Sequence, residues 1–97
     1  MILTTTNSIE GHKIEAYLGI VTGVSSLIKT SFSFKTEKNL NLMSELINKA
    51  KEEAFQILNT NASKLQANAI LGITLDMETE SGSYVFVSVT GTAVKVV

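Results

Sequence analysis

Hydrophobic residues alternate with polar or small ones near the N-terminus, and this alternation predicts β-strands. Residues 1–6 are rich in β-branched types and predict a short first strand, with Gly11 at the turn after it. Residues 13–26 predict a longer second strand. One face of that strand would carry Ile14, Ala16, Leu18 and Ile20. Gly19 and Gly23 would lie on the other face, where glycine marks a bulge, a bend or a close approach of another backbone.

The C-terminal third of the chain alternates in the same way and predicts two further strands joined by a short turn at Gly82. The first of the two carries Leu71, Ile73, Leu75 and Met77 on one face. The last strand, residues 84–97, is apolar on both faces, because its valines alternate with aromatic residues. We expect Val87 and Val89 to face the core of their own chain. We expect Tyr84, Phe86, Ser88 and Thr90 to face a partner.

Between the two pairs of strands the hydrophobic period lengthens to that of an α-helix. The apolar positions recur at steps of three and four from about Leu42 to Gln66: Leu42, Leu46, Ala50, Ala54, Ile57 or Leu58, and Leu65. Asn39 or Asn41 can cap the start of this helix, and Asn68 can end it in a left-handed conformation. Residues 25–41 have no clear period, so either a continued strand or a loop fits them.

The order ββαββ predicts an α+β fold, with one long helix packed across a mainly antiparallel sheet. A helix of about 25 residues is about 37 Å long and 10 Å across. Four strands make a sheet about 19 Å wide. One helix therefore covers about half of one sheet face. Since monomers rarely expose a large apolar patch, we expect a homo-oligomer in which neighbouring chains cover the rest.

The composition narrows the function classes. The 97 residues predict a single domain, residues 1–97, with a formal net charge of −1. All the basic residues are scattered lysines, which argues against a nucleic-acid partner. There is no cysteine, and the N-terminus lacks the pattern of a signal peptide. No apolar run is long enough for a membrane span, so the expected location is cytoplasmic.

Two groups of residues could bind a metal ion. His12 is the only histidine, and Glu10 would share its face in a strand, as a metal-ligand pair can. An exposed histidine at a turn is the alternative. Asp76, Glu78 and Glu80 alternate along one strand, and carboxylate oxygens suit a divalent ion such as Mg²⁺, Ca²⁺ or Mn²⁺. The alternative is a solvated strand that discourages aggregation.

Other side chains predict an interface rather than a metal site. Tyr17, Tyr84, Phe86 and Thr90 are the candidates for contact between subunits. The threonines around Gly91 could bring hydroxyl groups near a ligand, although threonine is common in any strand.

Three segments resemble the YbjQ-like family of bacterial proteins, which is named for a proposed heavy-metal-binding role. They are TTTNSIEGHKIEAYLGIVTG, LQANAILGITLDMET and VSVTGTAVKV, in the family's order. The resemblance implies a dodecin-like subunit and a homopentamer with interlocked strands. The chain departs from the family before the long helix, where SFSFKTEKNLNLMS replaces a short helix and a Gly-Gly-Arg segment. Thr74 replaces the family's first acidic residue in the strand that carries Asp76 and Glu78.

These observations predict a non-enzymatic, oligomeric binding or assembly module that holds a metal ion or a small molecule between subunits. The alternative from another class is an enzyme whose site is assembled between subunits around His12 and an acidic residue. A purely structural scaffold is the third option. With one imidazole and no thiolate per chain, we expect no tight site for a soft heavy metal.

Overall fold

The protein has the predicted element order ββαββ. The computed structural model describes the backbone of residues 1–28, 36–80 and 84–97, and the side chains of residues 1–26, 44–78 and 84–97. The elements are β1 Ile2–Leu3, β2 Ile14–Ile28, α1 Thr36–Lys64, β3 Ala69–Glu80 and β4 Tyr84–Val96. In this part of the chain, no helix combines the length and apolar character that a membrane crossing requires. The turn predicted at Gly82 lies outside the described residues.

The four strands form one mixed sheet in the order β1-β3-β4-β2. β4 is central and antiparallel to both β2 and β3, but β1 runs parallel to β3. The prediction of an antiparallel sheet is therefore wrong for this short strand. Two strands joined by a tight hairpin must be antiparallel, whereas β2 and α1 separate β1 from β3 in the chain and leave their relative direction free.

The main core lies between α1 and one face of the sheet. The helix contributes a stripe of fully buried residues at steps of four: Ala50, Ala54, Leu58 and Ala62. Opposite them, Val85, Val87 and Val89 of β4 are fully buried. The prediction that Val87 and Val89 face their own helix is confirmed. Leu65, which the period placed on the buried stripe, lies beyond the end of α1 and is exposed.

The small helix residues let α1 lie very close to β2 at Gly23. A Cβ atom at this position would be 2.0 Å from the Ala54 carbonyl oxygen and 2.7 Å from the Leu58 backbone nitrogen. The expectation that Gly23 marks a close approach of another backbone is confirmed. Near this point, the buried Ser25 hydroxyl donates to Glu53 Oε2 over 2.8 Å, which links β2 to α1.

The predicted alternation of β2 is wrong at its N-terminal end. Its register against β4 shifts between Ile14 and Ala16, and again between Tyr17 and Gly19. As a result, Ile14 and Leu18 contact different apolar clusters, while Ile20 is 79% exposed. Each extra residue in a bulge reverses the alternation beyond it, so a constant period of two cannot hold through both irregularities.

The helix begins earlier than predicted and ends at a different cap. It starts at Thr36, so Asn39 and Asn41 lie inside it and cannot be its N-cap. At its C-terminus Gln66, not Asn68, adopts the left-handed conformation, with φ of 64°. The Gln66 N–H donates to the Ser63 carbonyl and the Ala67 N–H to the Ala62 carbonyl, which is the Schellman pattern.

Asn68 has a different role, since it joins the start of β3 to the end of β4. Its Nδ2 donates to the Val96 carbonyl and its Oδ1 accepts from the Val96 N–H, both over 2.8 Å. A smaller apolar cluster at this end of the sheet contains Ala69, Leu71, Val94 and Val96, and is partly covered by Ile9 and Ile14.

Candidate functional site

The face of the sheet directed away from α1, here called the outer face, carries most of the residues predicted to function. The even-numbered residues of β4 lie on it, because the odd-numbered valines face the helix. Across this face, Phe86 pairs with Ser26 of β2 and Glu78 of β3. Two residues further along β4, Ser88 pairs with Val24 of β2 and with Asp76 of β3.

The outer face has an apolar surface that the described part of the chain leaves exposed. Tyr17, Ile20 and Val24 are 72%, 79% and 54% exposed. Tyr84 and Phe86 are each more than a third exposed, and their rings stack with centroids 6.0 Å apart and planes inclined by 13°. We call these five residues the apolar patch. Tyr17, Tyr84 and Phe86 were predicted from sequence as interface residues. The exposed position of Ile20 was not predicted, since it depends on the β2 bulges.

Asp76 and Glu78 lie beside the apolar patch and line a cavity of about 280 Å³, here called the acidic cavity. Val24, Phe86 and Ser88 also line it. Both carboxylate residues are exposed. The sequence prediction placed these two residues on one face of a strand, as observed, but it did not include Val24 or Ser88. Val24 lies between Gly23 and Ser25, which face the helix. Strand alternation could therefore have placed Val24 on the outer face.

Glu10 and His12 are not in a strand. They belong to a tight turn closed by the His12 N–H, which donates to the Ile9 carbonyl over 3.1 Å. Gly11 occupies the turn with φ of 81°, so the turn predicted at Gly11 is confirmed. Both side chains are exposed. The expectation that these two residues share the face of a strand is therefore wrong.

A single chain cannot bring the two groups of metal candidates together. The residue after His12, Lys13, exchanges backbone hydrogen bonds with Val97, whereas Asp76 pairs with Ser88. These points are nine residues apart along β4, or about 30 Å. Within the residues whose side chains are described, no three His, Cys, Asp or Glu side chains form a group able to hold a metal ion.

Thr90 lies near the middle of the outer face. It pairs with Thr22 on one side and Thr74 on the other, and its Oγ1 lies 3.4 Å from Thr22 Oγ1. Thr90 is only partly exposed, while Tyr17, Tyr84 and Phe86 are exposed. The four residues predicted for a subunit interface are therefore all accessible to a partner, and their contact with one stays a prediction.

Both edges of the sheet have unpaired backbone groups. β2 pairs with β4 on one side only, and Asn61 Nδ2 donates to the Thr22 carbonyl over 2.8 Å. On the other edge, the N-terminal segment accompanies β3 through bonds from Gly72 to Thr6 and from Ile73 to Thr4. In the described residues, β3 has no neighbour on that side from Thr74 to Glu80.

Comparison with known proteins places the whole chain in one family. A family described as "Putative heavy-metal-binding" (YbjQ) matches residues 1–97. A UPF0145 protein of Geobacillus thermodenitrificans is 38% identical, and the match covers 99% of each chain.

A solved structure supports the fold alone. It is the crystal structure of a protein of unknown function from Pediococcus pentosaceus, of the DUF74 family. It matches with a TM-score of 0.66 and 24% identity over 100% of this chain and 98% of the other. From the match over its full length and the 38% identical relative, we conclude that the chain belongs to the YbjQ family.

Proposed function

We propose that the protein is a non-enzymatic homo-oligomer that binds a ligand between its subunits. The observation that supports this proposal is the apolar patch, which includes a 79% exposed isoleucine and a stacked pair of aromatic rings on one sheet face. Exposed apolar residues on one sheet face mark an interaction site, because soluble monomers rarely leave a large apolar surface in water. A second copy of the chain is the partner we propose.

The unpaired edges support an assembly of the same kind. A long edge strand such as β2 presents a row of N–H and C=O groups that can pair with another strand. Only the Thr22 carbonyl on this edge is occupied, by Asn61, among the described residues. The edge of β2 and the unpaired edge of β3 from Thr74 to Glu80 are different surfaces. Pairing of β2 in one subunit with β3 in the next would therefore be head to tail. Contacts of this type form a ring when the rotation between neighbouring subunits closes, and an open filament when it does not.

The number of subunits and the dodecin-like arrangement rest on the resemblance to YbjQ-like proteins. We propose a ring of five. Five copies of the 10.5 kDa chain would have a mass of about 52 kDa. Clefts between chains are common sites for small ligands, because they are concave and partly apolar.

The residues of this chain fit a soft heavy metal poorly. The chain has no cysteine and one histidine, and soft ions prefer thiolate and imidazole ligands. A divalent ion that prefers oxygen fits Asp76 and Glu78 better. Because about 30 Å separates these residues from Glu10 and His12 in one chain, a site that used both groups would need two subunits.

Titration calorimetry with Zn²⁺, Cu²⁺ and Cd²⁺ tests the metal part of this proposal. We expect no stoichiometric site with sub-micromolar affinity. Such a site, if it disappeared in the His12→Ala variant and persisted in an otherwise matched Lys13→Ala variant, would contradict the expectation.

Native mass spectrometry of protein purified from its own host tests the binding role. We expect an oligomer that carries a retained small molecule or ion in stoichiometric amount. An oligomer whose mass equals that of the bare chains, and that takes up no ligand from a host extract, would favour the scaffold alternative and contradict the binding role.

A further inference from the structure

Three exposed apolar side chains lie on the helix side of the sheet, away from the apolar patch. Ile57 of α1 is 41% exposed, and Leu75 and Met77 of β3 are 39% and 47% exposed. We propose that Ile57 packs on Leu75 and Met77 of the next subunit, at a junction where β2 of one chain pairs with β3 of the other. The inference rests on the proposed assembly and names the residues that join its subunits.

Ile57 lies along the open edge of β2. Glu53, Ile57 and Asn61 follow one another at steps of four, so they share one side of α1. Glu53 accepts from the Ser25 hydroxyl, and Asn61 donates to the Thr22 carbonyl on that edge. Because Ile57 lies between two residues that are bonded to β2, its exposed surface is directed past the edge of the sheet.

Leu75 and Met77 lie beside the open edge of β3. They pair with Val89 and Val87, which face the helix, so they share the helix side of the sheet. α1 lies over β2 and β4, and β3 is the next strand outward. In the part of the chain that the structure describes, β3 has no neighbour from Thr74 to Glu80. Leu75 and Met77 therefore extend past the cover of their own helix.

The two open edges lie at the same level of the sheet. Residues 74–80 of β3 and residues 22–28 of β2 pair with the same residues of β4, 84–90. β2 and β3 also run in the same direction, since both are antiparallel to β4. Subunits of a closed ring are related by rotation without translation. Rotation about an axis along the strands would place residues 74–80 of one subunit beside residues 22–28 of the next, as parallel strands.

This rotation would bring Leu75 of one subunit to the level of Ile57 in the next. Leu75 and Gly23 both pair with Val89, so they are level within one chain. Gly23 lies against the backbone nitrogen of Leu58, the residue after Ile57. One junction would therefore cover the exposed surfaces of Ile57 and Leu75 together.

The charges of the two edges favour this pairing over the pairing of two identical edges. Asp76 and Glu78 lie within the open segment of β3, on the outer face. Two such segments placed side by side would bring the carboxylates of both chains together, and like charges on adjacent strands are destabilising. β2 has no charged residue from Ala16 to Ile28, so it can pair with the acidic strand without repulsion.

Disulfide trapping tests the proposal, because the chain has no cysteine of its own. In the double variant Ile57→Cys with Leu75→Cys, at least two strand spacings, about 10 Å, separate the two cysteines of one chain. This distance is too long for a disulfide, so bonds can form only between subunits. We expect oxidation to give a ladder of linked chains on a denaturing gel without reductant. The ladder should end at the number of subunits in the ring.

Gln56→Cys with Leu75→Cys is the matched control. Gln56 is exposed on α1 but lies off the side that Ile57 shares with Glu53 and Asn61. The control should give at least tenfold less linked protein under the same oxidation. Equal yields from the two double variants would overturn the proposal.

Charged variants test the direction of the contact. Ile57→Asp and Leu75→Asp should each elute as single chains at a concentration where the wild type and Gln56→Asp are assembled. A mixture of the two has one intact junction, between Leu75 of the first variant and Ile57 of the second, so it should form a pair of the 10.5 kDa chains and no larger species. Where a charged variant does not fold, as judged by circular dichroism, the disulfide ladder decides.

Sizing of the wild type separates this inference from the proposed assembly. A wild-type oligomer that gives no ladder, and that stays assembled with folded Ile57→Asp chains, would overturn the junction and leave the assembly supported. A monomeric wild type would overturn both.

Discussion

At the scale of single residues, the absence of a side chain at Gly23 determines how closely α1 approaches the sheet. The Ala54 carbonyl oxygen occupies the space that a Cβ at residue 23 would need. The obstructing atoms belong to the helix backbone, so no rotation of a side chain can relieve the contact. The buried alanines of α1 serve the same close packing from the other side.

We predict that Gly23→Ala lowers the free energy of unfolding by about 3 kcal/mol, because the helix must move away from β2 and leave the core underpacked. For a chain of this size the midpoint of thermal unfolding should fall by roughly 12–24 °C. Ser26→Ala is the control, since Ser26 lies on the exposed face of the same strand. Equal unfolding temperatures for the two variants would contradict the role given to Gly23.

At the scale of elements, the sequence predicted the order of the strands and the helix, but not all of their limits. The spacing of hydrophobic residues indicates which face of an element is buried. It predicted the buried stripe of α1 at Ala50 and Ala54 and the inward-facing valines of β4. It does not report bulges, which depend on pairing with another strand, so the first half of β2 was assigned to the wrong faces. The helix begins at Thr36, in a stretch where the sequence has no clear period.

The sequence also predicted only part of the candidate site. Local alternation predicted that Asp76 and Glu78 share one face of their strand and that Tyr84 and Phe86 face away from the core, as the structure has them. Burial of Tyr84 and Phe86 by a partner stays a prediction. The relation of Glu10 and His12 to the other candidates was not predictable, because it depends on the strand order that brings β2 next to β4. Metal binding by these residues stays a prediction.

Asn68 gives a prediction at this scale, since its side chain joins the start of β3 to the end of β4. Asn68→Ala should lower the free energy of unfolding by about 1–3 kcal/mol, because two hydrogen bonds to Val96 are lost. Chemical denaturation measures this change. Asn48→Ala, at an exposed position of α1, is the control and should change stability by less than about 0.5 kcal/mol. Equal effects of the two variants would show that the Asn68 bonds contribute nothing net.

At the scale of the whole molecule, the helix and the sheet do not cover each other completely. α1 lies over β2 and β4, and Leu75 and Met77 of β3, which share the helix side of the sheet, are 39% and 47% exposed. The outer face bears the apolar patch. A chain with uncovered apolar surface on both sides of one sheet is better suited to an assembly than to an isolated state.

Phe86→Asp tests where the assembly forms. If a partner covers the outer face, this variant would place an unpaired charge where water is excluded, and assembly should weaken by several kcal/mol. Sizing chromatography should then show a smaller species whose far-ultraviolet circular dichroism is that of the wild type. Phe86→Leu keeps the apolar character and should remain assembled. If Phe86→Asp eluted as the full oligomer with unchanged thermal stability, the outer face would not be the interface.

The central claim is that this chain functions as a homo-oligomer, and light scattering behind a sizing column measures its mass directly. At micromolar concentration the wild type should have a mass of about 52 kDa, the value for five chains. A mass that fits a closed ring with another number of subunits would change only the subunit number, which was taken from the resemblance to YbjQ-like proteins. A folded species of 10.5 kDa, the mass of one chain, would contradict the account.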